Sequence, residues 1–264
     1  MKKADFIYEL EKRIESINGD VSIMIQGEIM YRYNEQLVHP SASLIKLPIL
    51  SCAIENMKDG TLNPYELIPI SSLEKTGGSG IVAALHTPNV TIQDLITLMI
   101  TVSDNTATNW LINKLKINDI QKHIDSLQLN GTKLQRYMMQ TPKETGKDNF
   151  TTAEDIISLL KHYDNDEQFY YPLEKQQLTH KLCGNLEGIE GLSIANKTGE
   201  LQTVTHDAAR LNINNKTVYV AVLSSNVECV NHTNYIFSEI GHLILTIFTK
   251  INIVKILSII YNIQ

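Results

Sequence analysis

The chain has 264 residues, 43% hydrophobic and 20% charged, enough for one large domain or two closely joined lobes that bury roughly 70–75% of the unfolded surface. A net charge of −6 gives no electrostatic footing for nucleic acid or an anionic membrane as partner. Cys52, Cys183 and Cys229, an odd number at no metal-like spacing, suit reduced, buried thiols.

The N-terminus carries two lysines, but charges interrupt the residues after them, so the apolar core of a secretory signal is missing and a cytoplasmic protein is expected. Phe6, Ile7, Leu10, Ile14 and Ile17 recur at helical spacing over 4–18, and Asn18-Gly19-Asp20 ends the run. Residues 21–26 and 28–33 read as two strands with a tight turn at Gln26-Gly27. From His39 the pattern passes from strand-like to an apolar helix expected to reach Met57, with Ser43 near its start.

Helical patterning then dominates to about residue 185. Thr91 and Asp94 cap a helix over 92–100, Asn118 caps a segment through Leu127, and Thr152 with Asp155 opens a helix through Tyr163. Strand patterning returns at 193–198, 204–213 and 217–224, with Asn214-Asn215 at a hairpin turn, and a final helix is expected from about Thr233. Residues 243–264 are isoleucine-rich. Polar residues at every third position from 246 to 258 leave no clean apolar stripe, and Lys250 and Lys255 argue against a membrane span, so the stretch reads as an extended helix or a loose tail.

The expected fold class is α/β of the α+β kind. An antiparallel sheet of about five strands, drawn from 1–38 and 190–264, is flanked by terminal helices, and an all-helical lobe, 39–189, is inserted with Ser43 at the seam.

Ser43 and Lys46 sit three residues apart, so on a helix they share a face: a nucleophile beside a candidate base. A serine alcohol is a poor nucleophile at neutral pH, and an ordinary lysine is protonated, so the pair works if Lys46 is held neutral by burial or by a second cation. The same spacing recurs at Ser72/Lys75 and Ser158/Lys161; the first copy differs in its apolar surroundings. Ser103-Asp104-Asn105 comes directly after an apolar helix. It reads either as a capped junction or as a hydroxyl able to pass a proton beside an amide able to hold a carbonyl or Lys46. Lys197-Thr198-Gly199 lies on the first strand of the final sheet: Lys197 supplies the second cation, Thr198 a hydroxyl, and Gly199 room for close approach to the backbone. Its copy Lys75-Thr76-Gly77 precedes a glycine-rich turn and reads as structural.

Together the three motifs resemble the class A serine β-lactamases and the penicillin-binding proteins, whose signatures are SxxK, SDN and KTG in that order. Sixty residues separate positions 43 and 103, and 94 separate 103 and 197, similar to class A. The likeness spans roughly 20–245 and is supported by Gly77-Gly-Ser-Gly80, Met99 to Asn109 and the helix start Thr151-Thr152-Ala153. It implies a site between two lobes. Ser43 attacks a strained lactam carbonyl, Lys46 takes its proton, and Ser103 with Lys197 returns one to the leaving nitrogen, while Asn105 holds a carbonyl or Lys46. The N–H groups of Ser43 and Glu200 form the oxyanion hole, Thr198 holds a substrate carboxylate and Gly199 clears the approach. No metal or cofactor is implied, and a monomer acting on a β-lactam-like small molecule is expected.

Three departures qualify the likeness. In Arg136-Tyr137-Met138-Met139-Gln140, Met138 stands where class A enzymes carry the glutamate that activates the deacylating water, and a thioether cannot accept a proton. Glu144 is the candidate substitute. Arg210 is thirteen residues past Lys197, too far for the family's carboxylate-binding arginine; His206 is nearer but reads as a strand-end surface residue. The export signal of the family is missing. Two readings result: a serine hydrolase acylated at Ser43 and then hydrolysed, or a penicillin-binding or sensor-type protein that acylates but deacylates poorly because of Met138.

Overall fold

The computed structural model describes residues 1–249 apart from 185 and 187, so the part of the isoleucine-rich stretch from Lys250 onward lies outside the described residues. α1 (Lys3–Glu15) turns Phe6, Leu10 and Ile14 inward, as the helical spacing predicts. β1 (Asp20–Gln26) and β2 (Met30–Tyr33) come next. Gln26 pairs with Met30, so residues 27–29 form the loop in place of the tighter turn expected at Gln26-Gly27.

β3 (His39–Pro40) leads into a 3-10 turn, Ala42–Ile45, and then α2 (Lys46–Lys58). Nine consecutive α2 residues, Lys46 to Ile54, are buried, so this helix is enclosed on every side, which is why its sequence lacks a polar face. Pro48 is tolerated because it falls in the first turn, where the N–H has no intrahelical partner.

β4 (Leu67–Pro69) pairs with β5 (Asn89–Thr91). α3 (Ile92–Thr101) starts at the reciprocal Thr91–Asp94 capping box read from the sequence. α4 (Asn105–Leu115) is capped by Asp104. α5 (Ile117–Ser126) starts directly after Lys116, so Asn118 lies inside the helix, where the sequence suggests its cap; the chain passes from one helix to the next through a single residue at φ +72°.

α6 (Pro142–Thr145) and β6 (Phe150–Thr151), which pairs with β3, precede α7 (Ala153–His162), capped by the Thr152 side chain as expected. α8 (Glu167–Glu174), β7 (Leu192–Leu201), β8 (Val204–Ile213), β9 (Lys216–Ser225) and α9 (Val230–Thr249) complete the described chain.

The main sheet has the order β2-β1-β9-β8-β7, antiparallel throughout, in agreement with the five-stranded sheet expected. Asn214 and Asn215, both at positive φ, make the two-residue turn between β8 and β9. Alternation along β9 divides the interior: Val218, Val220 and Val222 pack with α1 and α9, whereas Tyr219, Ala221 and Leu223 join the core built on α2, α3, α4 and α7. β7 is the edge strand, and the 3-10 turn carrying Ser43 packs against it. A Cβ at Gly199 would lie 3.2 Å from both the Ser43 nitrogen and the Ala42 Cβ, so the two backbones meet at a distance that favours glycine.

Candidate active site

Ser43 is half-buried on the 3-10 turn, and the preceding Ala42 is held at φ +45°. Positive φ is uncommon for a residue with a Cβ and persists where packing enforces it, here against β7. The Ser43 hydroxyl has no hydrogen-bond partner among the described residues.

Lys46 is fully buried at the first position of α2. Its Nζ donates to the Ser103 carbonyl (2.7 Å) and to Asn105 Oδ1 (2.8 Å), and it lies 3.0 Å from Ser103 Oγ. A neutral amine has two N–H bonds and one lone pair; two carbonyl-type acceptors use the former and leave the latter toward the hydroxyls. Burial, followed by the charge of Lys197, pushes the Lys46 proton affinity well below that of an ordinary lysine.

Ser103 itself sits at φ +55°, between α3 and α4. Lys197 Nζ donates to Ser103 Oγ at 3.1 Å and to the Thr198 carbonyl at 2.7 Å. Ser103 Oγ thus joins both amines. Because it accepts from Lys197, its own proton is free to point at Lys46. Burial first, then the charge of Lys181, lowers Lys197 to about 7, against the smaller upward pull of Asp207.

Asn105 ties this centre to the glycine-rich loop, its Nδ2 donating to the Gly77 carbonyl. Asp104 holds the same loop from below, accepting from the Ile81 and Val82 N–H groups and, as the α4 cap, from Ala107. The structure therefore brings Lys46, Ser103, Asn105 and Lys197 into one hydrogen-bonded group, with Ser43 on the turn just ahead of Lys46. By strand alternation Gly199 faces this group, while Thr198 and Glu200 fall on the other face of edge strand β7.

On that other face lies a residue the sequence does not single out. Lys181 is buried and donates to the Gly199 carbonyl (2.9 Å) and to Thr205 Oγ1 (2.7 Å), and it pairs with Glu200 at 2.9 Å. It stands behind the KTG segment, whereas the sequence offers Arg210 and His206 as the groups to weigh for a carboxylate-binding role. A lone lysine between His180 and Leu182 carries no local signal; its role comes from the fold. Arg210 is engaged elsewhere, with Asp164 and Glu174, and stacks on Tyr170.

His206 corrects the surface reading. It is fully buried, with Nε2 at 2.8 Å from the Pro40 carbonyl and Nδ1 accepting from the Ser224 N–H, which sets its tautomer and pins the segment leading to Ser43.

Met138 is buried, and its backbone is clamped on both sides by Asn109, which accepts from the Met138 N–H at 2.7 Å and donates to its carbonyl at 3.2 Å. Glu144 caps α6 through the Thr141 N–H and hydroxyl, contacts that hold its carboxyl below the usual range. A cavity of about 720 Å³ lies between this loop and the glycine-rich one, lined by Thr76, Gly77, Asn109, Met138, Met139 and Glu144 among others. Among the described residues no cluster of His, Cys, Asp or Glu is arranged to hold a metal ion, and no helix is long and apolar enough to cross a membrane.

The model of the beta-lactamase enzyme family matches residues 6–248. No curated protein matches the chain. Among solved structures, a β-lactamase from Sphaerobacter thermophilus DSM 20745 is 24% identical with a TM-score of 0.85, covering 96% of this chain and 100% of its own. A class A β-lactamase representative from Bacteroides cellulosilyticus DSM 14838 is 19% identical, TM-score 0.80, covering 92% and 96%. A PBP-A mutant, solved as an acyl-enzyme complex with penicillin-G, is 18% identical, TM-score 0.81, covering 94% and 98%. At these identities the likeness is one of fold.

Proposed function

Because this chain belongs to the beta-lactamase enzyme family, we propose that it is an active-site-serine hydrolase acylated at Ser43 by a β-lactam or a related amide or ester. The observation that carries this reading is the Lys46–Ser103–Lys197 chain of contacts through one hydroxyl oxygen. Lys46 receives the Ser43 proton as Oγ attacks the carbonyl; burial supplies the lowered proton affinity that step needs. Ser103 hands a proton to the departing nitrogen and is resupplied through the lysines. The N–H groups of Ser43 and Glu200 stabilise the oxyanion. Lys197 brings positive charge to the edge of β7, with Lys181 behind the strand already paired to Glu200, and a substrate carboxylate is drawn to that edge. Asn105 holds Lys46 and the glycine-rich loop in register.

Hydrolysis of the acyl-enzyme is the slow half. Met138 offers no base at the backbone position that Asn109 clamps, and Glu144 is engaged as a helix cap. Those contacts favour the second reading, in which the acyl group on Ser43 persists.

Intact-protein mass after a penicillin pulse tests both. The expected result is an adduct on Ser43, absent from Ser43→Ala, that decays slowly and decays faster in Met138→Glu. No adduct on the folded protein refutes acylation. A decay rate unchanged by Met138→Glu refutes the role given to the loop.

A further inference from the structure

On the α9 side of the sheet, behind the strand that carries Lys197, two buried oxygens lack a hydrogen-bond partner: Asn196 Oδ1 and Asp207 Oδ2. They belong to side chains that already touch, since Asn196 Nδ2 donates to Asp207 Oδ1 at 3.0 Å. Asn196 is 1% exposed and Asp207 0%, so neither oxygen reaches bulk solvent. A carboxylic acid and a primary amide can pair through a ring of two hydrogen bonds, and the N–H···O bond from Asn196 to Asp207 is the first of them. With an ionised carboxylate both oxygens are acceptors and repel, at the cost that two buried unpaired groups carry. One proton on Oδ2 turns the repulsion into an O–H···O bond, closes the ring and satisfies both atoms.

We propose that Asp207 is carried as a neutral carboxylic acid, its Oδ2 proton donated to Asn196 Oδ1, so that a closed acid–amide pair ties β7 to β8 directly behind Lys197.

The surroundings agree. Facing Asp207 are Thr198, its cross-strand partner on β7, and Val222, its partner on β9. Lys181 and Lys197 are the charged groups that act on it, with Lys181 already paired to Glu200, and Asn234 on α9 is engaged by Thr205 and Glu200. Burial outweighs both lysines, together with the hydrogen bonds from Asn196 and the Leu182 N–H, and pushes the Asp207 carboxyl up to about 7. A neutral Asp207 leaves Lys197 facing the Lys181 charge with no carboxylate behind it, which keeps the Lys197 amine low; an ionised Asp207 draws a proton onto Lys197. Asp207 is thus a positioning and tuning residue, remote from substrate.

The pH dependence has a definite sign. A carboxyl raised in the folded state contributes stability that is present in full below its unfolded value, about 4, and is lost as pH rises through about 7. Asp207→Asn places a permanent amide donor where the proton sits. The Tm of Asp207→Asn minus that of the wild type is expected to widen by about 5 °C or more between roughly pH 4.5 and pH 7.5, then level off. In wild-type protein labelled with ¹³C-aspartate, an infrared titration should show a carboxyl that keeps its proton to near neutrality, with a band missing from Asp207→Asn. A Tm gap that is constant across that range overturns the proposal, and so does an infrared titration in which every aspartate ionises in the ordinary acidic range. The infrared titration of the wild type stands even if the variant fails to fold, and neither readout depends on turnover or on the proposed acylation of Ser43.

Discussion

Two lysine amines that share the Ser103 hydroxyl cannot both be ammonium groups without strong repulsion in a dry site, and burial resolves this by lowering both proton affinities. A lysine depressed in the folded state holds fewer protons than in the unfolded chain between its two pKa values. For Lys197 that window runs from about 7 to about 10.4, so its burial costs stability below about 7, and the cost is relieved as pH rises through the window. Lys197→Met should therefore raise Tm most at acidic to neutral pH, with the gain shrinking toward pH 10, while abolishing Ser43 acylation. Thermal melts paired with adduct mass measure both, and a Tm gain that grows with pH contradicts the assignment. In the wild type, acylation by a penicillin should fall as pH rises through about 7, where Lys197 gives up its charge and its hold on a substrate carboxylate. The residues that carry this chemistry are legible as letters at fixed spacings. Lys181 and His206 are not, because their weight comes from burial against strands far along the chain.

At the scale of elements, the site hangs on junctions that are stressed or tight. Ala42 and Ser103 both adopt positive φ, one ahead of the 3-10 turn and one between α3 and α4. Gly80, at φ +124°, lies so close to Asp104 that an added Cβ would overlap the carboxylate. Gly80→Ala should push Asp104 off the Ile81 and Val82 N–H groups, shift the start of α4 with Asn105, and slow acylation by about a hundredfold, the cost of an ångström of misplacement near a reacting centre. A stopped-flow acylation rate checks this. Thr152→Ala is the contrasting case: losing the α7 cap should cost about 1 kcal/mol in denaturant unfolding and leave the acylation rate unchanged. Caps such as Thr91 and Thr152 are readable because their partners lie three residues away. The α5 start is not, because α4 runs up to Lys116 and settles where α5 begins, a constraint no local pattern carries.

Across the whole molecule, the sheet draws strands from both ends of the chain, with β1 lying between β2 and β9, and its two faces serve different ends. One face backs the Lys46–Ser103–Lys197 group, and the other is sealed by α1 and α9. Phe6 is fully buried on the sealed side. Phe6→Ala should lower unfolding stability by about 3–5 kcal/mol while the folded fraction keeps its acylation rate, as chemical denaturation and adduct kinetics would show. Periodicity in the sequence determined α1, α2, α3 and α7, the strands of the main sheet and the hairpin at Asn214-Asn215, because each reflects spacing within a few residues. The order of three short motifs determined the family. That Lys181 stands behind the edge strand, that His206 is interior, and that Asp207 and Asn196 are hydrogen-bonded were decided by the tertiary structure. Proton affinity and hydrogen-bond satisfaction depend on what surrounds a group in space, and those neighbours come from segments tens to more than a hundred residues apart.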